Sequence, residues 1–551
     1  MRIFDHRWPR LFLACGFAWL MLLGPTGASA ADSQKSRLVD AAWLQQRLGE
    51  VLLIDASSTQ DHMAGHVPGA VSADRYRYGA QDPTPQQMEQ RLQSWGVSPN
   101  RKVVIYDQGA DFMAPRLFYD LYYHGVPAKD VFLLDGGLAA WRAKGGAVVT
   151  EATPAPTRGT FRVTQLREEA RVRLPEFLVA SGDLKHHVLM DALSADYYYG
   201  ARRFFDRAGH VPNAVSMPSS DLFNADKTFK SAAELQRLLR YTGIRPEQTV
   251  HSHCGGGGAA AVNWFALKFI ADHRKVTLYQ ESQREWLRDD RGLPFWTYSA
   301  PHLLRPASWV TGWNSAMLRL FGAADLSIVD VREPAQYARG HLPFALNIPA
   351  QTVHTQLQQP QRLALTLGQA GVGPTHDVVI VSDGGLSPDA ALAFMAFEQM
   401  GQPRVSLLMD SVDDWALSGE ELTKVATAIR NPQGMTDLAV PPTNYTARQG
   451  RTAWVSDPTR TQGEFEKVYI AAGKTLPRVA PDGKVVHLPH IELIGGDGRP
   501  KAAAELWRII DKAGVPRHAE LIVFADDPAE AAINYVVFRL MGWPDVKAWA
   551  R

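Results

Sequence analysis

The 551-residue chain holds two cysteines, Cys15 and Cys254. That scarcity excludes a disulfide framework of the kind that staples small secreted domains, and equally a thiolate-rich metal cluster. A surplus of one charge is also missing, since 58 Lys and Arg stand against 57 Asp and Glu. Nucleic acid and anionic surfaces recruit proteins through a strong basic field, so neither is expected as a partner. After residue 30 no apolar run approaches the roughly 20 residues that span a bilayer, so no membrane partner is expected once the N-terminal segment is removed.

What remains is ordinary globular material, 46% hydrophobic and 10% aromatic, enough for roughly three to five domains. Residues 1–30 read as an export signal. Arg2, Arg7 and Arg10 make a basic start, residues 11–23 an apolar centre, and Ala28-Ser29-Ala30 a small-residue cleavage site. Cleavage near Ala30 would deliver the chain to the periplasm. Cys15 would leave with the signal, making Cys254 the one thiol of the mature protein. A lone thiol in an oxidising compartment has no internal partner, so it is either protected or used.

Cys254 sits in His251-Ser252-His253-Cys254-Gly255-Gly256-Gly257-Gly258-Ala259-Ala260, after a short apolar run and before a helical pattern. Strand, glycine loop and helix start follow one another. Amides at a helix N-terminus attract anions, and the same positive end favours thiolate over thiol. The plainer alternative is a flexible loop beside a buried structural cysteine. A cysteine phosphatase would need an arginine closing the loop on the phosphoryl group, and that position is Ala260. A metal held by His251, His253 and Cys254 would lack a fourth ligand, and strand alternation turns Cys254 away from both histidines. No metal or cofactor is therefore expected. His253 reads either as a tuner of the thiolate or as packing.

The surrounding elements recur. A strand ending in Asp precedes a Gly-His-x-Pro segment at Asp55 and His66, at Asp191 and His210, and at Asp330 and His341. Each is followed by a loop-bearing strand, then by a closing strand that leads to Trp141, Trp286 or Trp415. A fourth copy is degraded: residues 521–526 match the loop strand and residues 541–546 echo residues 400–405. Its Gly-His-Leu-Pro segment has faded to Gly473-Lys474-Thr475-Leu476-Pro477, and no match to the Trp-bearing helix follows before Arg551. The implied domains span residues 36–150, 160–298, 302–424 and 443–551. Linkers fall at residues 151–159 and 425–450, and a short junction at residues 298–305 should hold domains 2 and 3 close. Strands alternating with helices make each an α/β domain, a parallel sheet flanked by helices.

This combination of motifs resembles the rhodanese-like sulfurtransferase superfamily, repeated four times. Domains 1 and 2 are similar to the tandem thiosulfate or 3-mercaptopyruvate sulfurtransferases. Asp107-Gln108-Gly109 and Ala114-Pro115-Arg116 look like their non-catalytic first half. The resemblance implies that Cys254 takes a sulfane sulfur from a small anionic donor such as thiosulfate. The persulfide so formed would then pass it to a thiol or a cyanide-like acceptor.

The loop position holds Asp107, Cys254, Asp383 and Asp526 across the four copies. A carboxylate cannot carry a sulfane sulfur, so domains 1, 3 and 4 are inactive and Cys254 is the catalytic residue. Gly255, Gly256, Gly257, Gly258 and Ala259 would cradle the donor. By resemblance Arg202, Arg203 and Arg207 would add charge, although they also read as a solvated basic helix end. Relatives choose their donor with cationic or hydroxyl side chains in the loop. This loop has none, and Leu193 stands where an arginine is frequent, so thiosulfate and 3-mercaptopyruvate both stay open. The alternative is a persulfide relay without turnover, or a docking protein for a periplasmic partner. Asp191 and His210 recur in the silent copies, which assigns them to holding the fold through a shared hydrogen-bond network.

Overall fold

The computed structural model describes residues 36–74, 83–320, 325–424, 428–430, 437–448, 451–476 and 481–549. The expected export signal and Pro477 of the faded motif lie outside them. Runs of branched and aromatic residues form the strands. β1 (Leu38–Val39), β2 (Leu52–Asp55), β3 (Val71–Ser72), β4 (Val103–Tyr106) and β5 (Val131–Leu134) make a parallel sheet in the order β1-β5-β4-β2-β3. The central strands are buried along their whole length, because parallel sheets are covered on both faces.

The permutation then repeats. β6 (Arg171–Val172), β7 (His187–Asp191), β8 (Val215–Ser216), β9 (Thr249–His253) and β10 (Val276–Tyr279) are ordered β6-β10-β9-β7-β8. β11 (Leu304–Arg305), β12 (Leu326–Asp330), β13 (Ala345–Asn347), β14 (Asp377–Val381) and β15 (Arg404–Leu408) follow suit as β11-β15-β14-β12-β13. Within the expected linker the chain forms an antiparallel ribbon of β16 (Ala428–Arg430) and β17 (Asp437–Ala439). The degraded copy keeps the full sheet: β18 (Trp454–Val455), β19 (Lys467–Ala471), β20 (Lys484–His487), β21 (Glu520–Phe524) and β22 (Val546–Trp549), ordered β18-β22-β21-β19-β20. Sheet topology therefore outlives the loss of the motif.

Each sheet is followed, after its loop strand, by a helix that is apolar almost all round. These are α1 (Met113–Tyr123), α2 (Gly258–Phe265), α3 (Pro388–Gln399) and α4 (Pro528–Leu540). A helix without a polar face needs cover on both sides. Here one side is its own sheet and the other is the sister domain's helix. α1 meets α2 through Phe118 and Phe265, with ring centroids 4.9 Å apart, and through Tyr119 and Trp264, also at 4.9 Å. α3 meets α4 through runs of alanine and a Glu398–Arg539 ion pair of 3.1 Å, with the Tyr535 hydroxyl donating to Glu398. The chain is thus two copies of one two-domain unit.

The short junction splits its contacts. Residues 304–305 are the edge strand of the domain 3 sheet, while residues 298–300 bond to domain 4: the Ala300 N–H donates to Leu540 O, the Ser299 hydroxyl to Met541 O and the Tyr298 hydroxyl to Lys501 O. Around it Tyr199 stacks on Trp507, whose indole N–H donates to Asp196, and Arg517 pairs with Asp221 at 3.2 Å. Domain 2 thus meets domain 4 at Trp507, at residues 517–519 and at the turn after α4, where the Tyr199 hydroxyl donates to Met541 O. Among the described residues no helix is long and apolar enough to cross a membrane.

The motif residues hold the fold, but separately. His66, His210 and His341 each bond through Nδ1 to a carbonyl of the preceding helix, and each forms an isolated antiparallel bridge to the segment after the Trp-bearing helix, at Val149, Trp296 and Thr423. Asp55 bonds His62, Asp191 bonds Gln283, and Asp330 bonds Arg332. A common Asp–His network, expected from their recurrence, is not formed in domains 2 and 3.

Glu398→Ala strands Arg539 in the α3–α4 seam, and removing one partner of a buried pair costs about 3 kcal/mol. Urea unfolding of the C-terminal half should show a loss of that order, with Cys254 reactivity unchanged. A loss below about 1 kcal/mol would show that the seam does not rely on this pair.

Candidate active site

Cys254 follows the last residue of β9 and is 2% exposed. Its amide donates to the Ser282 hydroxyl at 3.0 Å, while its carbonyl accepts from the Gln283 amide at 2.9 Å. The Gly255 carbonyl accepts from the Arg284 amide at 2.9 Å. Both carbonyls of the first half of the loop are therefore tied away from the sulfur. The Gly257 N–H donates to Cys254 Sγ at 3.1 Å. α2 begins at the next residue with no side-chain cap, so its first-turn amides are left for the sulfur and whatever binds beside it.

The five candidate cradle residues divide into two groups. At Gly257, which has φ +82°, an added Cβ would lie 2.5 Å from Arg116 Nη1 and 2.9 Å from Gln280 O. At Gly258 it would lie 2.7 Å from the Phe112 ring. At these two positions the close approach of domain 1, and at Gly257 also of Gln280, leaves no room for a side chain. At Gly256 a Cβ meets nothing within 4 Å, and at Gly255 it meets only Phe204 at ordinary contact distance, with Leu193 at the edge of reach. Gly255, Gly256 and the half-buried Ala259 form the open side.

The three arginines part company. Arg207 donates to the carbonyls of Trp286, Leu287, Arg288 and Leu293, so its guanidinium braces the segment after β10. Arg203 is exposed and bonds the Asp206 carbonyl at 3.4 Å. Arg202 lies over the Tyr197 ring, 5.1 Å from its centre. Tyr197 in turn stacks on Phe204 with centroids 4.0 Å apart. Phe204 is 55% exposed and rests against the Gly255 side of the loop, so this segment reaches the site through an aromatic ring. Tyr197 and Phe204 escape a reading tuned to charged residues. Arg116 and Phe112 escape it because they belong to the silent domain.

His253 packs edge-on against Phe177, and burial pushes its imidazole down to about 3. A neutral ring provides no cation for a thiolate, and the contact with Phe177 is a packing contact. His251 bonds His187 and Thr277, and burial lowers it to about 4. In domain 1 the seat of the cysteine is taken by Asp107, whose two oxygens accept from the Gly109 and Ala114 amides at 2.9 and 2.8 Å. The Ala114 amide is at the start of α1, where negative charge is favoured. Gln336 donates to Asp383 in domain 3.

Two outcomes test this geometry. Gly257→Ala should cut alkylation of Cys254 by iodoacetamide at least tenfold, by driving a Cβ into Arg116 and displacing the amide on Sγ. Gly256→Ala should leave the rate within twofold. Equal effects would contradict the division of the loop. The second test uses Asp191, a buried carboxyl whose burial raises it from 3.8 to about 7. Asp107 is raised to about 7, mainly by the same cause. Between about pH 4 and 7 the folded chain keeps protons that the unfolded chain has released, so stability falls as pH rises through that window. Urea unfolding at pH 4.5 and pH 7 should show this fall, and Asp191→Asn should remove about one proton of the slope.

The chain is similar to known proteins over part of its length. A 3-mercaptopyruvate sulfurtransferase of Escherichia coli is 28% identical over 270 residues, 45% of this chain and 94% of that protein. A sulfur carrier protein, TtuD, of Thermus thermophilus is 28% identical over 268 residues, 45% of this chain and 93% of that protein. The crystal structure of SseA from Escherichia coli, described as a 3-mercaptopyruvate sulfotransferase, is 27% identical, covering 44% of this chain and 98% of its own, with a TM-score of 0.40. The rhodanese-like domain matches residues 40–144, 176–289 and 314–418, more than half of the sequence, and the chain belongs to that family.

Proposed function

We propose that this protein is a sulfurtransferase that moves a sulfane sulfur through a persulfide on Cys254. The observation that carries the reading is the contrast between equivalent seats. One of the four holds a buried sulfur bonded by a backbone amide, and three hold carboxyl groups. Relatives named thiosulfate and 3-mercaptopyruvate sulfurtransferases support the class of reaction.

With thiosulfate the Cys254 thiolate attacks the outer sulfur. A Cys254 S–S bond forms, the S–S bond of the donor breaks, and sulfite leaves with the bonding pair. An acceptor such as cyanide then attacks the outer sulfur of the persulfide and departs as thiocyanate, returning the thiolate. No outside oxidant or reductant enters. The Gly257 amide stabilises the anion on Sγ in the resting state, and the open amides of α2 do so for the outer sulfur of the persulfide. With 3-mercaptopyruvate the leaving carbanion of pyruvate takes up the proton of the donor thiol.

Gly255 and Gly256 leave the open side without a side chain that selects between these donors. Arg202 and Arg203, beside Tyr197 and Phe204, are the cations nearest in sequence to the ring that borders the loop, and they are the proposed attraction for an anionic donor. The protein is proposed to act in the periplasm, on the strength of the basic start, apolar centre and Ala28-Ser29-Ala30 of its first 30 residues. A second reading, a relay that charges once and waits for a partner, is favoured by the relative named a sulfur carrier protein.

Turnover separates the two. With thiosulfate or 3-mercaptopyruvate and excess cyanide, many thiocyanates per chain are expected, and Cys254→Ser should lower the rate by at least about a thousandfold. A single thiocyanate per chain would favour the relay. Wild-type turnover by the serine variant would overturn both.

A further inference from the structure

We infer that Arg116, carried by the silent domain 1, is a positioning residue for the Cys254 loop: it grips the Gly257 carbonyl so that the Gly257 amide stays on the sulfur. The inference rests on the proposed role of Cys254. It adds a component that lies 141 residues away in sequence from the group it holds.

Arg116 is 0% exposed and sits on α1, in the seam with α2. Such a seam is ordinarily filled with apolar side chains, and burying a guanidinium there is costly unless its bonds are well made. Asp120, one turn along α1, pairs with it at 3.0 Å, and the Tyr119 ring lies 5.5 Å from its centre. Outside its own helix, Nη1 donates to Gly257 O at 3.1 Å. Domain 2 itself ties the carbonyls of Cys254 and Gly255, through the amides of Gln283 and Arg284. The second half of the loop is tied from the other domain.

Gly257 is held at both ends. Its N–H is on Sγ, its carbonyl is on Arg116, and between them its backbone is left-handed, at φ +82° and ψ 0°. The N–H belongs to the peptide before the Gly257 Cα and the carbonyl to the peptide after it, so the Arg116 bond fixes the second plane and leaves the first to turn only about the Cα. That Cα is itself crowded, since a Cβ built on it would lie 2.5 Å from Arg116 Nη1 and 2.9 Å from Gln280 O. Phe112 closes the same side against Gly258. Asp120 offsets the charge of Arg116, so the effect on the sulfur is exerted through loop geometry more than through net positive potential. Domain 1 has lost its nucleophile and keeps the part that shapes its neighbour's.

The test reads alkylation of the peptide bearing Cys254 by iodoacetamide at pH 7 in the full-length protein. The main variant is Arg116→Met with Asp120→Leu, which removes both members of the buried pair together. The expected result is a rate about tenfold lower, the effect of one charge-assisted hydrogen bond. In sulfur transfer kcat should fall by a similar factor, with donor KM within twofold. Arg116→Lys should lie between.

A folded variant that alkylates at the wild-type rate at pH 7 overturns the inference. So does a loss of sulfur transfer carried by donor KM with kcat unchanged, which would mean altered access alone. Should the double variant fail to fold, Arg116→Lys decides, and a wild-type rate at pH 7 overturns the inference. Alkylation needs no sulfur donor, so failure of wild-type turnover would count against the proposed function and leave this result standing.

Discussion

The structure turns on the contact between α1 and α2. Each helix is apolar on nearly every side, so neither is stable at the surface of a lone domain. Pressing them together buries Phe118, Tyr119, Trp264 and Phe265, and brings Phe112 and Arg116 onto the glycine loop at the start of α2. Stability and chemistry thus share one surface. Glycine at 257 and 258 is the sequence consequence, because any larger residue would part the domains or move the loop. The same helix-on-helix contact recurs between α3 and α4, where no cysteine depends on it. Packing therefore accounts for the repeat of the pair, and the thiol accounts for the difference between the copies.

The carboxylates at the equivalent seats have a physical role of their own. Asp107 accepts the Gly109 amide from the loop and the Ala114 amide at the start of α1. A folded but silent domain keeps its sheet, its helix and its cap, and gives up only the sulfur. Domain 4 goes further, losing its Gly-His-Leu-Pro segment while keeping the strand order. It then covers domain 2 through Trp507, Arg517 and the turn at Met541. Domains 1 and 4 both pack against the domain that carries Cys254, and domain 1 reaches its loop.

Much of this was legible in the sequence. The periodic return of strand, Asp and Gly-His-x-Pro exposes three α/β domains, because each strand is a short apolar run and each motif histidine pins the helix before it, and the echoes at residues 521–526 and 541–546 expose a fourth. Comparing the four loop positions isolates Cys254, because thiol and carboxylate differ in what they can carry. Three features were beyond that reading. Arg116 acts across a domain boundary, and spacing along the chain carries no trace of it. Phe204 and Tyr197 border the site with rings, while a search for anion-binding chemistry looks for charge. The glycines were read as one cradle, but close approach of another domain and open space for a ligand select the same residue. The junction at residues 298–305 is a related case: a short connection limits distance, and carries no trace of the bonds that residues 298–300 make to domain 4.

The central claim is that one sulfur in a fourfold repeat does the carrying. It is tested most directly by giving the protein thiosulfate labelled at its outer sulfur, without an acceptor, and mapping the label by peptide mass. The account requires one labelled sulfur per chain, on the peptide bearing Cys254, and its release when cyanide is added. Label on any other peptide, or a Cys254 peptide that stays unmodified with both thiosulfate and 3-mercaptopyruvate, would contradict it.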